Sequence, residues 1–195
     1  MKKIFSLLAA LCLSSSLWAG NDVSTVSGTP AVLNDRSVRM TFTWDYSKCK
    51  IQGKSVKEFL RSKGDDWVRD YPAEIAAAES SFAAYYNKKT KSAVITDDAD
   101  AADYDVVCVV TDFDYGDTGT SVAMNVMFGS FAKKAGGARF SGDIYVYKKG
   151  TKKNPVAVMH INDFVGDGDY SNTKRRTNAY FQFGKEFLKF LKKQK

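Results

Sequence analysis

The chain is poor in the residues from which most active sites and metal centres are built. Among 195 residues there is one histidine, His160, and there are three cysteines, Cys12, Cys49 and Cys108. Closed zinc sites use paired Cys or His ligands at short spacing, and that spacing is absent here. A nucleophile–base–orienter triad would have His160 as its one imidazole base, and the flanking Met159 and Ile161 read it instead as a histidine satisfied within a strand. No Gly-x-Ser-x-Gly elbow offers an activated serine. Gly166-x-Gly168 lacks the lysine and the strand-to-helix spacing of a phosphate loop, which disfavours nucleotide binding. With 3 prolines and 13% aromatic residues, the chain is not low-complexity or disordered. Beyond the N-terminus no apolar run approaches the roughly twenty residues of a transmembrane span.

What the sequence does contain begins with an address. Lys2 and Lys3 precede an apolar stretch from Ile4 to Leu13, and Leu17-Trp18-Ala19 ends in a small residue. Residues 1–19 therefore read as a cleavable signal peptide, and Ser14-Ser15-Ser16 breaks the run too early for an anchor. The expected location is secreted or periplasmic. Ala9-Ala10-Leu11 lacks the small residue that precedes a lipid-modified cysteine, so Cys12 is not a lipoprotein anchor. The formal net charge is +7, and loss of Lys2 and Lys3 with the signal lowers it by two. In an exported protein this excess favours an anionic envelope component or an acidic protein partner over nucleic acid. Cys49 and Cys108 remain, which permits one disulfide in an oxidising compartment. The alternative is that Cys108, within Val106-Val107-Cys108-Val109-Val110, is a small buried hydrophobe.

Residues 20–36 show no apolar period and read as a flexible N-terminal segment, with a single domain over 37–195. From Val38 to Tyr46 every second residue is apolar, which predicts a strand. Ser55 and Glu58 match a capping box before a short helix that Gly64 ends. Asp70-Tyr71-Pro72 predicts the start of a longer helix running to Asn87, with Ile75, Ala78, Phe82, Tyr85 and Tyr86 as its apolar stripe. Strands are expected at Ala93–Thr96, Tyr104–Phe113, Ser121–Phe131, Ala138–Tyr147 and Val156–Ile161, the last one central because it is apolar on both faces apart from His160. Thr173 is expected to cap a final helix whose stripe is Tyr180, Phe183, Phe187, Phe190 and Leu191. The fold class is α+β: two layers, a mainly antiparallel sheet, and two main helices packed on one face.

The acidic lead Ala102-Asp103-Tyr104 into an apolar strand, followed by the meander and closing helix, resembles small bacterial envelope domains of the TolB N-terminal type. It is similar also to outer-membrane activators of penicillin-binding proteins and to several secreted families without assigned roles. The resemblance spans residues 37 to 193 as topology and implies a non-catalytic periplasmic domain that binds another envelope protein. Those activators are lipid-anchored, whereas this chain lacks the lipobox.

The candidate binding residues are the basic set Lys149, Lys152, Arg175 and Arg176, placed beside exposed edge or loop aromatics. Two alternatives stand beside this reading. Asp112, Asp114 or Asp163 would serve a carboxylate-based hydrolase acting on a glycan. Asp167 and Asp169 begin a calcium-like spacing, but Asn172 stands where such a loop needs glycine and Asn178 where it needs glutamate, which leaves only a makeshift calcium-stabilised structure. No cofactor is expected.

Overall fold

The computed structural model describes residues 22–120, 123, 127, 133–151 and 153–194. The alternating stretch near the N-terminus forms β2 (Arg39–Asp45), preceded by β1 (Val23–Gly28) and a short turn of 3-10 helix at Pro30–Leu33. Two two-residue strands follow, β3 (Lys50–Ile51) and β4 (Lys54–Ser55). Helices α1 (Val56–Lys63) and α2 (Asp65–Lys89) lead to β5 (Val94–Ile95). Three long strands, β6 (Tyr104–Asp114), β7 (Arg139–Lys148) and β8 (Ala157–Val165), precede the closing helix α3 (Asn172–Lys193).

The strands form one sheet in the order β1-β8-β7-β6-β2-β5, with β3 joined to the far end of β6. The meander β6-β7-β8 and the edge strand β1 pair antiparallel, while β2 runs parallel to both β6 and β5. The architecture is therefore α+β, with a mostly antiparallel sheet.

Alternation along the strands sorts the side chains by face. One rank carries Trp44, Cys108, Ile144 and Met159, and a neighbouring rank carries Phe42, Val106, Val146 and Ala157. This face meets the helices. Trp44 lies 4.6 Å from Tyr180, 5.3 Å from Phe82 and 6.1 Å from Phe183 between ring centroids. Phe140 and Phe164 stand 5.2 and 5.5 Å from Phe183.

The N-terminal segment differs from expectation. Order does not begin at Ser37, because β1 pairs with β8 from Val23↔Ile161 to Gly28↔Ala157. An edge strand with one neighbour buries little, and only Val23 in β1 is buried, so no apolar period announces it. Helix α2 starts at Asp65, five residues before the predicted Asp70, and carries Pro72 inside it. Gly64, at φ 111°, turns the chain from α1 straight into α2. The cap of α3 is Ser171, whose hydroxyl accepts from the Lys174 N–H, and not Thr173. The strand predicted over Ser121–Phe131 lies mostly outside the described residues; within it, Ala123 and Met127 are helical.

Gly166 marks the closest approach of sheet and helix. A Cβ there would stand 2.4 Å from the Ala179 Cα and 2.7 Å from its backbone nitrogen. Gly166→Ala is expected to push α3 off the sheet end and cost about 1–3 kcal/mol, the usual range for overpacking. Chemical denaturation read by near-ultraviolet circular dichroism checks this, and a variant as stable as the parent contradicts it.

Candidate functional site

Arg175 and Arg176 are not on an exposed binding surface; each is only 1% exposed. They sit in the first turns of α3, where that helix meets α2 and the turn after β6. Arg175 is satisfied by neutral oxygens. Its Nε donates to the Tyr115 carbonyl at 2.6 Å, its Nη1 to Thr118 Oγ1 and the Asp169 carbonyl at 2.7 and 2.6 Å, and its Nη2 to Asn172 Oδ1. Arg176 is clamped differently. Its guanidinium carbon lies 4.9 Å from the ring centres of both Tyr71 and Tyr115, and its Nη2 donates to Glu74 at 3.0 Å and to the Tyr115 hydroxyl. Two rings and a carboxylate against one guanidinium supply both quadrupole and charge, as its burial requires.

Nε and Nη1 of Arg176 have no hydrogen-bond partner among the described residues. Arg176 lines a cavity of about 10 Å³ together with Tyr46, Cys49, Tyr71, Phe113 and Tyr180. Burial pushes the Cys49 thiol up to about 12, with Asp112 adding to the shift, so it is a neutral S–H and not a thiolate nucleophile. Tyr71 is also raised to about 12 by burial, opposed by the Arg176 charge. Tyr46 is held far above the ordinary phenol range by burial and by Tyr180. Its hydroxyl donates to Glu79 at 2.9 Å and meets the Tyr180 hydroxyl at 2.8 Å. Burial raises the Glu79 carboxyl, with the Tyr46 bond opposing. The cavity suits one water and is too small for a substrate.

The remaining candidates scatter. Lys149 reaches back to the acidic turn, donating to the Asp100 carbonyl with the Asp100 carboxylate 3.9 Å away. Lys152 lies outside the described residues. Cys49 and Cys108 are free thiols and not a disulfide. Strand β3 joins β6 opposite Asp112, which sets Cys49 about three residues along from Cys108, roughly 10 Å at strand spacing and beyond disulfide reach. Asp167 accepts from Gln182 Nε2 at 2.7 Å and Asp169 from the Ser171 N–H at 3.1 Å. No cluster of three or more metal-ligating side chains forms among the described residues, which leaves the calcium reading without a ligand set.

The proposed hydrolase carboxylates are likewise engaged in local roles. Asp114 caps the Gly116 N–H at 2.7 Å, and Asp163 pairs with Arg139 at 3.6 Å, both of those side chains being exposed. Asp112 lies in register between Lys50 and Ser141. None of these three lines the cavity beside Arg176. His160 bonds Asp143 through Nδ1 at 2.8 Å and sits in the same cross-strand rank, on the face opposite Cys108. The pleat therefore separates the imidazole from that thiol.

Two surface features were not signalled by any motif. The first is a hollow of about 460 Å³ between α1 and the start of α2, lined by Tyr46, Val56, Lys57, Leu60, Arg61 and Val68. The second is the sheet face turned away from the helices. There Thr43, Val107, Tyr145 and Val158 form one cross-strand rank, flanked by Asp45, Val109, Asp143 and His160 on one side and Thr41, Asp105 and Tyr147 on the other. Tyr145 and Tyr147 stack with ring centres 6.3 Å apart. Among the described residues, ring contacts from α2 and α3 reach only the opposite face. The uninterrupted apolar run Val106–Val110 was the available signal for this second feature.

No protein-family model matches the chain, and no curated protein matches it. Among solved structures, a PelC dodecamer from Paraburkholderia phytofirmans is similar over 82% of this chain and 93% of that chain, at 12% identity and a TM-score of 0.42. A likeness that remote carries no argument about function. No helix among the described residues is long and apolar enough to cross a membrane.

A crystal structure at high resolution is expected to show one ordered water bonded to Arg176 Nε and Nη1; an empty cavity contradicts this. Glu79 gives a pH test. Its carboxyl binds the proton more tightly when folded than when unfolded, so its contribution to stability falls as pH rises from the ordinary carboxyl value through the raised one. Glu79→Gln, which keeps an acceptor for Tyr46, should stabilise the protein at pH 7 and lose that gain near pH 4. Urea titrations at the two pH values measure the difference.

Proposed function

We propose that this chain is an exported protein of the bacterial envelope that acts as a non-catalytic binding or assembly module, and that its contact surface is the helix-free face of the sheet. One observation carries the reading. Strand β6 is apolar on both sides at Val106–Val110, the pattern of a strand covered on both faces, yet α2 and α3 cover only the face that holds Val106, Cys108 and Val110. Val107 and Val109, with Tyr145, Tyr147 and Val158 beside them, stay half-buried on the other side. Apolar surface gathered on one face, rimmed by polar groups such as the His160–Asp143 pair, marks an interaction site.

The N-terminal signal supports export, and the TolB-like resemblance supports an envelope partner of protein or anionic character. Asp112, Asp114 and Asp163 gather around Ser141 and Arg139 at one end of the sheet, but Asp112 and Asp163 are exposed, Asp163 is paired with Arg139, and none of the three lines either hollow, which favours binding over a glycosidase pair that faces one enclosed substrate.

Two measurements test the proposal. Mass spectrometry of the protein recovered outside the cytoplasm should show a chain that begins at Gly20, and recovery of the intact N-terminus in the cytoplasm contradicts export. Cross-linking in whole envelopes should give a defined adduct that Val107→Thr combined with Tyr145→Ser reduces at least about tenfold, corresponding to about 1.4 kcal/mol, while the melting temperature stays within a few degrees. An adduct indifferent to that double change places the contact elsewhere.

A further inference from the structure

We propose that the groove between α1 and the start of α2 is a binding site for a single-chain anionic amphiphile, of which a medium-chain alkyl carboxylate is the simplest case. This goes beyond the proposed docking face, which lies on the other side of the sheet. The hollow of about 460 Å³ falls within the size range of small-molecule sites. Its walls are Val56, Leu60 and Val68, with the ring of Tyr46 closing one end. Val68 is 45% exposed and shares this lining with Val56 and Leu60, so the apolar surface is gathered in one trough rather than scattered.

The charge at the rim selects the head group. Lys57 and Arg61 lie four residues apart on α1, one helical turn, and both line the hollow. Neither forms an ion pair with a described residue, and three of the nearby carboxylates are already engaged elsewhere. Glu58 closes the capping box on Ser55, and Asp66 and Asp70 both hold Arg69 at 2.8 Å. An apolar trough beneath two unpaired cations is complementary to an apolar chain ending in a negative charge.

The walls are also preorganised. The reciprocal Ser55–Glu58 cap fixes the start of α1, Gly64 fixes the reversal into α2, and Tyr46 is tied by its hydroxyl to Glu79 and Tyr180. Length argues against a peptide helix as occupant. The eight residues of α1 span about 12 Å at 1.5 Å per residue, room for little more than two turns of a partner.

Isothermal titration of the folded chain with dodecanoate, below its aggregation concentration, is expected to give saturable 1:1 binding. Dodecyl maltoside, with the same chain and a neutral head, should bind at least tenfold more weakly. Lys57→Glu combined with Arg61→Glu should weaken dodecanoate at least tenfold with the melting temperature unchanged, because both side chains are exposed. Val68→Arg, which fills the trough, should abolish binding. Equal affinity for the two amphiphiles, undiminished binding by the double variant, or no saturable binding overturns the proposal. Association with anionic vesicles but not with monomeric dodecanoate overturns it as well, since the cations would then serve a membrane surface. The Val107→Thr/Tyr145→Ser protein should bind dodecanoate normally, so failure of the sheet-face reading and failure of this one remain distinguishable.

Discussion

A one-sided layer of interlocking aromatic rings joins sheet to helices, and the rest of the molecule is arranged around it. Phe42 and Trp44 from β2, Phe140 from β7 and Phe164 from β8 meet Phe82 from α2 and Tyr180, Phe183 and Phe187 from α3, with the quoted centroid separations running from 4.6 to 6.1 Å. Edge-to-face and tilted pairs dominate the Trp44 contacts, the arrangement ring quadrupoles favour. Such rings are thick, so the space between layers is set by them, and where the layers must close at the end of β8 only glycine fits, at position 166. The same layer explains why both long helices lie on one face. Each commits its apolar stripe to that side, which leaves the other face of the sheet without a helical cover from the described chain.

The two buried arginines follow from where the ring layer ends. Beyond Tyr180 the helix α3 continues toward its N-terminus over the turn after β6, and Tyr115 is the last ring there, stacked on Phe59 at 5.7 Å and edge-on to Trp67 at 5.5 Å. Arg176 comes next, its guanidinium 4.9 Å from the ring centres of both Tyr115 and Tyr71, so a polar group carries the ring layer onward. Arg175 stitches the adjoining loops by their carbonyls. A guanidinium can do this because its planar fork distributes donors around a surface that still packs like a ring. The arginine pair is thus a structural fastener between α3, α2 and the loop beyond β6, and not a docking patch.

Sequence periodicity captures the parts of this molecule whose burial is local. Met40, Phe42 and Trp44 alternate with polar neighbours, and Ala78, Phe82 and Tyr86 repeat at helical spacing, so β2 and the body of α2 are readable. The capping box at Ser55 is readable because its chemistry closes within four residues. Burial decided from far away is not readable. Arg176 depends on Glu74 and Tyr115, 102 and 61 positions distant, and two adjacent arginines read as surface until those partners are known. The first turns of α2 are hidden for another reason: Asp65 to Arg69 is exposed apart from Trp67, with Trp67 and Val68 adjacent rather than at helical spacing, so Pro72 looks like a start when the helix has already begun. The groove is invisible because its walls come from two helices and the segment after β2, which only the folded chain brings together. Of the basic set, Arg175 and Arg176 are buried and not part of a surface, a burial that nothing local to them announces.

The two proposed surfaces also differ in what supports them, and this bears on what each can bind. The helix-free face is built on β6, β7 and β8, ten or so residues each and paired almost throughout their length, so its ranks of side chains are held in fixed register. A surface of that kind has little freedom to adapt and favours a partner of complementary shape. The groove rests on α1, which is eight residues long and joined to the sheet through β3 and β4 of two residues each. Its walls are nonetheless shaped in advance, by the Ser55–Glu58 cap, by the buried Phe59 and Leu60 and by the tied hydroxyl of Tyr46. A flexible chain with a charged end can enter such a site without a preformed tunnel. The ring layer holds the Tyr46 wall in place, because that tyrosine is anchored to Tyr180 within the core.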